Sequence, residues 1–361
     1  TVYIDFEVIP RNQFFEITDF QGHSLKVQPI RYRREGCYYA IFAEDIPPMG
    51  YKTFEIVFKQ PSTDTGTITI NNASIENHFY KLQLNPDKGT IQSLYDKELN
   101  CELVDSSSPW ELGAFIYEKL GNRDQLAQYR LDDYNRTGLS ECRIIDSSNG
   151  PIYQRILLQG KSPGTDEAFG VNLEIKLYHD TKRIELEYAI KRLPETDPSG
   201  IYVAFPFQLP EGKLAFDVQG GTVISGKNQL EGTSTDWNTV QNFVSVQNNQ
   251  AQIIIGSSLI PLYQLGDINL GKFQYQKQYE RPHVYSWVMN NYWNTNFKAS
   301  QEGEFRWSYH LTSSVDPSNN LATKFGWSSR IPLYARVMPT GTENHKPTEY
   351  SAFHFEKDNF L

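Results

Sequence analysis

Cysteine is scarce: Cys37, Cys101 and Cys142 are the only three in 361 residues, an odd number with no CxxC spacing. That pattern excludes a disulfide framework and a thiolate zinc site. No apolar run approaches the ~18–20 residues needed to span a bilayer as a helix. Positive charge is also short, with 34 Lys and Arg against 43 Asp and Glu for a net charge of −9. A surface built to neutralise a nucleic-acid backbone is therefore not expected, and the chain reads as an ordinary soluble protein with no membrane partner. Arg31, Arg33 and Arg34 are the one basic cluster and read as the solvated side of a strand or turn.

Several chemical signatures are missing as well. There is no GxSxG elbow, P-loop or dinucleotide fingerprint. His23, His78, His179, His283, His310, His345 and His354 are scattered rather than set at metal-ligand spacings, so no metal site is read on this chain. Asn77-His78 invites a check as a sugar-epimerase acid, but the second histidine and carboxylate base that such chemistry needs cannot be assigned. Helical periodicity is nearly absent, and its best stretch, Arg123 to Tyr129, is a turn or two long.

What is present is β periodicity. Val171, Leu173, Ile175 and Leu177 alternate with polar residues, a polar turn follows, and Ile184, Leu186, Tyr188 and Ile190 alternate again, predicting a hairpin with one buried face. Tyr80 to Leu84 and Thr90 to Tyr95 flank the turn Pro86-Asp-Lys-Gly89 in the same way. Further runs stand at 152–158, 201–207, 243–246, 251–255 and 305–311, and an aromatic share of 14% suits large antiparallel sheets. The fold class is all-β. Residues 1–60 predict a small β-sandwich, complete or partial, 61–74 a linker, and 75–361 a large two-sheet sandwich. A sequence that opens on Thr1 rather than Met reads as a mature form or a piece of something longer.

The segment Met289-Asn-Asn-Tyr-Trp-Asn-Thr-Asn-Phe297 packs four Asn, one Thr and three aromatics into nine residues. Amides donate to and accept from hydroxyls, and indole and phenol rings offer flat apolar faces, which are the groups that bind sugars. The same residues also suit a loop whose amides brace turns and whose rings plug a core edge.

Taken in order, several segments resemble the C-terminal region of glycoside hydrolase family 38, the α-mannosidases. They are 75–99, ending in Tyr-Asp-Lys-Glu-Leu99; Leu177-Tyr-His-Asp-Thr-Lys-Arg-Ile-Glu-Leu186 with Phe205-Pro206 after it; Glu231-Gly-Thr-Ser-Thr-Asp-Trp-Asn-Thr-Val-Gln241; and 290–297 followed by Phe305-Arg-Trp-Ser-Tyr309. The resemblance implies a galactose-mutarotase-like supersandwich after the small sandwich. It also implies a catalytic α/β-barrel partner in the same enzyme, which carries zinc, an Asp nucleophile and a carboxylic acid. No strand–helix repeat of such a barrel stands in this sequence, so no catalytic residue is carried onto it. The role implied is a non-catalytic β region that packs on the barrel and touches mannosides at the cleft rim, with Asp236, Trp237, Asn290, Asn291, Trp293 and Asn294 as the residues for that interface. The alternative is a stand-alone carbohydrate-binding module.

Overall fold

The computed structural model describes residues 1–60, 73–293, 296, 298–338 and 348–353. Alternation of apolar and polar residues becomes alternation of burial. Val171–Tyr178 and Ile184–Arg192 pair antiparallel with Val171 opposite Ile190 and Leu177 opposite Ile184. Leu173, Ile175, Leu186 and Tyr188 are buried on the shared inner face. The second expected hairpin, Tyr80–Asn85 with Thr90–Asp96, turns through Gly89 at φ +66°, a region that glycine enters without steric cost.

The chain divides into two compact units. The smaller holds Thr1–Ile68, Asn149–Tyr153 and Leu333–Leu361. Its three-stranded sheet runs Val2–Asp5, Gly36–Ile41, Val27–Tyr32, over a small core of Val2, Ile4 and Ile9 with Phe15, Tyr39, Ile41, Ile56 and Val337 against it. Buried Gln28 accepts from the backbone N–H groups of Ile152 (3.0 Å) and Tyr153 (3.1 Å), which fixes that short segment within the unit. Arg31, Arg33 and Arg34 are exposed, as expected.

The larger unit, Thr69–Ser148 with Gln154–Pro332, is a sandwich. A nine-stranded sheet runs from Ser140–Asn149 through Tyr153–Lys161, Val171–Tyr178, Ile184–Arg192, Gly303–Ser314, Gln252–Gly256, Phe243–Gln247 and Lys213–Val218 to Gly221–Ile224. A six-stranded antiparallel sheet runs Tyr134–Thr137, Phe115–Leu120, Ser199–Phe205, Val284–Asn290, Leu262–Leu265, Asn238–Thr239. Their facing side chains share one apolar core. Tyr309 from the larger sheet packs edge-on to Phe205 at 5.0 Å and donates its hydroxyl to Ser286 Oγ at 2.8 Å, so the sheets are joined by rings and by a hydrogen bond.

The all-β expectation is borne out, with one addition. Asn319–Arg330 is a 12-residue α-helix capped by Ser318, whose Oγ accepts from Leu321 N. It buries Ala322, Gly326 and Ser329, and a Cβ at Gly326 would stand 3.0 Å from Asn242 Cβ, so the small residue sets the approach. The short expected helix forms as a 3-10 helix, Arg123–Gln128.

Strand Ser199–Phe205 is buried at every residue. Ile201, Val203 and Phe205 face the main core; Tyr202 and Ala204 face the other way, with Ile116, Tyr285 and Trp287 from neighbouring strands. That second face is covered by Leu126, Leu131, Ile268 and Leu270 from loops. The candidate site lies in this loop-covered layer.

Ile175 is fully buried in the shared core. Changing Ile175 to Ala is expected to cost about 2–5 kcal/mol, and Lys213→Ala, at an exposed strand end, within about 0.5 kcal/mol. Guanidinium denaturation of the two variants against the parent chain checks both.

Candidate functional site

The second core carries a fully buried carboxylate, that of Glu118. Glu118 and Tyr202 project from neighbouring strands onto the loop-covered face, and Glu118 is 0% exposed. Its Oε1 accepts from Tyr202 Oη at 3.3 Å and, in a closer contact, from Tyr292 Oη. Its Oε2 accepts from Arg136 Nε at 2.5 Å across the strand pair in which residues 118 and 136 are directly opposite. Burial works against the Arg136 charge, and the Glu118 carboxylate outweighs it, so the guanidinium is held above its ordinary value. The guanidinium carbon also lies 4.3 Å from the centre of the Tyr134 ring.

Next to this network the rings form a continuous set. Tyr202 and Trp287 are cross-strand partners stacked at 5.9 Å and 2°. Trp287 meets Trp237 at 5.6 Å and Trp293 at 6.0 Å, and Trp237 meets Trp293 at 5.7 Å. Trp293 is 40% exposed. The structure thus brings together Trp237 and Trp293, which lie 56 positions apart in the sequence numbering.

The other expected residues have separate situations. Asn290 ends its strand opposite Gly200 and is exposed. Asn291 uses its amide as a brace: Oδ1 accepts from Ser199 N at 2.7 Å, and Nδ2 donates to Glu195 O at 2.9 Å and Ala299 O at 3.0 Å. Asp236 is buried at 5% exposure; burial raises its carboxyl pKa, against the N–H of Gly271 and the charge of Lys277. Asn294 lies outside the described residues. Asn77 braces its turn by accepting from Phe79 N and Tyr80 N, and the His78 ring tilts against Phe79 at 3.8 Å.

Sequence reasoning did not single out Glu118, Arg136, Tyr202 or Lys277. Lys277 is 7% exposed, and burial lowers its ammonium from 10.5 to about 8, with Asp236 and Asp267 opposing and Lys272 adding to the shift. His283, 3% exposed, pairs with Asp105 Oδ2 at 2.9 Å and is held below its ordinary range by burial. A cavity of about 400 Å³ lined by Lys119, Asp133, Asn135 and Asp197 lies elsewhere: Lys119 and Asn135 alternate with Glu118 and Arg136 along the same paired strands and so face away from the second core. Among the described residues, no group of three His, Cys, Asp or Glu could hold a metal ion.

Two outcomes follow from burial. Replacing Glu118 with Ala strands the Arg136 charge and is expected to cost about 3–5 kcal/mol, read by chemical denaturation. Lys277 holds its proton less tightly folded than unfolded, so between about pH 8 and 10.5 the unfolded chain binds the extra proton and stability rises with pH. Buried tyrosines such as Tyr285, pushed up to about 12, act in the opposite sense near the top of that window. Lys277→Met is expected to flatten the rise in denaturation midpoint just above pH 8; an unaltered pH profile in the variant counts against the assignment.

The sequence profile of the glycosyl hydrolases family 38 C-terminal domain matches residues 75–274. No curated protein matches the chain in sequence. In three dimensions the chain is similar to an alpha-mannosidase from Enterococcus faecalis V583, at TM-score 0.63 and 13% identity over 91% of this chain and 42% of that one. It is also similar to a protein in the glycosyl hydrolase family 38 from Enterococcus faecalis, at TM-score 0.62 and 13% identity over 91% and 44%. A putative aldose 1-epimerase from Escherichia coli K12 superposes at TM-score 0.40 and 9% identity, over 69% of this chain and 100% of that one. The chain spans less than half the length of the two Enterococcus structures. With the profile covering more than half of its residues, the chain belongs to glycosyl hydrolase family 38 and carries that family's C-terminal domain.

Proposed function

We propose that the chain is the non-catalytic C-terminal β region of an α-mannosidase-like glycoside hydrolase, which packs on a catalytic α/β barrel of the same enzyme and contributes carbohydrate contacts at the cleft rim. The parent reaction is hydrolysis of α-mannosides. The observation that carries the reading is the match of 75–274 to the family's C-terminal domain, in a chain that spans under half of an alpha-mannosidase of similar fold.

The rim role is supported by Trp293, an exposed ring anchored on Trp287 and Trp237. An indole face of this kind can lie against the C–H face of a pyranose. On this reading Asn290, at an exposed strand end, bonds sugar hydroxyls or the neighbouring domain, while Asn291 holds the loop that presents Trp293. The zinc implied by family membership belongs in the catalytic domain, since the described residues do not fit it. This chain's part is to bind and orient, with no proton transfer assigned to it.

Trp293→Ala in the full-length enzyme is expected to lower kcat/KM for an aryl α-mannoside about tenfold, or ~1.4 kcal/mol, while the circular dichroism of the separate 361-residue chain stays unchanged. Kinetics equal to the parent enzyme's would refute the rim role.

A further inference from the structure

The cavity of about 400 Å³ at the edge of the six-stranded sheet is of a size usual for small-molecule sites, ~300–1,000 Å³. Tyr134–Thr137 is the edge strand, and it pairs with Phe115–Leu120 so that Asn135 stands directly opposite Lys119. Both side chains line the cavity, and the Lys119 ammonium reaches a third lining group, Asp197 Oδ2, at 2.9 Å. Asp133, two positions before Asn135, lays its carboxylate on Gly121: a Cβ on that glycine would stand 2.1 Å from Asp133 Oδ2.

The backbone around these groups is fixed. The Asp133 carbonyl accepts from Gly121 N at 3.0 Å and from Gln125 Nε2 at 2.9 Å. Asp197 N donates to Glu195 Oε1 at 3.1 Å, and Leu120 N donates to Pro198 O at 2.9 Å. The side chains are nevertheless available. Asp133 and Asn135 are exposed, and their side chains make no hydrogen bond or ion pair with the described residues. Lys119 and Asp197 are 46% and 65% exposed, and an ion pair so open to water holds its groups weakly.

The lining selects a ligand by chemistry. Two carboxylates only accept, the ammonium only donates, and the Asn135 amide does both. A cationic ligand would meet Lys119 and an anionic one Asp133 and Asp197, so a neutral molecule is favoured. The neutral group able to serve donor and acceptor alike is a hydroxyl. Buried Pro198 and the partly exposed Tyr134 ring add apolar surface to the same lining. A small ring with hydroxyls on its rim and C–H groups on its faces meets all of these demands.

We propose that this cavity binds one unit of a neutral glycan, whose hydroxyls donate to the Asp133 and Asp197 carboxylates and accept from Asn135 and Lys119. The site is separate from Trp293 but shares a turn with the loop that carries it: Glu195 O accepts from Asn291 Nδ2 at 2.9 Å, and Thr196 O from Arg123 Nη2 at 2.8 Å. The choice of a mannoside as probe rests on the carbohydrate-contact role above.

Titration of the 361-residue chain with methyl α-D-mannopyranoside, followed by proton–nitrogen correlation NMR, tests the site. Saturable shifts are expected at the Gly121 backbone amide and the Asn135 side-chain amide. Asp133→Ala and Asn135→Ala are each expected to weaken the affinity read at Gly121 about tenfold, with the denaturation midpoint unchanged, since both residues are exposed. Mannuronate, an anion of the same ring, is expected to bind more weakly than the mannoside. No saturable shift at sugar concentrations on the order of tens of millimolar, unchanged affinity in both variants, or tighter binding of mannuronate would each overturn the proposal. Shifts at the Trp293 indole alone sink the cavity site and leave the rim role standing. Shifts at Gly121 and Asn135 that persist in Trp293→Ala, in an enzyme whose turnover that change leaves intact, support the cavity and sink the rim role.

Discussion

The constraint behind the larger unit is that its six-stranded sheet has no solvent face at its centre. Antiparallel sheets commonly leave one side to water, but Ser199–Phe205 is apolar on both, with Val203 and Phe205 in the sandwich core and Tyr202 and Ala204 in a second one. A second apolar face has to be covered, and here loops cover it. The 3-10 helix supplies Leu126, the following turn Leu131, and the long connection after Leu262–Leu265 supplies Ile268 and Leu270. Burying such side chains is favourable by about 1.5–3 kcal/mol each, enough to hold segments that lack a sheet or long helix of their own.

A loop over an apolar face brings backbone N–H and C=O groups out of water, and each needs a partner. Much of the polar chemistry in this layer answers that need. Gln264 Oε1 accepts from Asn269 N (2.5 Å) and Leu270 N (3.2 Å), and Gln125 Oε1 accepts from Asp132 N (2.8 Å) and Asp133 N (3.0 Å). Arg123 donates to the carbonyls of Thr196 (2.8 Å), Asn291 (3.2 Å) and Tyr292 (3.0 Å). The Glu118–Arg136 pair differs in kind: such a pair is of little net value to stability but is costly to break, and it fixes Tyr202 and Tyr292 around one carboxylate. Among the described residues, two groups of this layer stay without a partner, Arg136 Nη2 and the Trp287 indole N–H; the guanidinium meets the Glu118 carboxylate through its Nε, and the indole is a neutral group whose burial costs only about 1–3 kcal/mol.

The hairpins were legible because a period of two leaves one face to the core, as Val171 to Leu177 show. The stretch Ile201 to Phe207 was legible as a strand, but its burial on both sides was not, since nothing in an apolar run says what covers each face. Helix Asn319–Arg330 escaped because Thr, Gly and Ser dilute its apolar spacing and its close approach depends on Gly326, a residue of low helix propensity. Family resemblance supplied what periodicity lacked for the whole fold. At the site, the Asn-rich and aromatic stretch 289–297 was conspicuous in composition, whereas Glu118 and Lys277 were not: one acid among 43 acidic residues and one lysine in a Gln- and Tyr-rich loop carry no signal until burial is known.

Ring order explains why a loop-borne tryptophan can be a precise contact. Tyr202 is fully buried and Trp287 2% exposed, and from them contacts pass to Trp237 and on to Trp293 at 40% exposure. Each ring limits the rotamers of the next, so the outermost indole inherits its orientation from the sheet. A ligand that meets such a ring avoids most of the roughly 0.5–1.5 kcal/mol that ordering a mobile side chain costs on binding. The loop that carries it is held in the same way, because the Asn291 amide ties Ser199, Glu195 and Ala299 together at its base. Bracing turns and presenting a surface for sugar are therefore compatible roles for neighbouring residues: the amide that supports the loop backbone is what keeps the exposed ring in place.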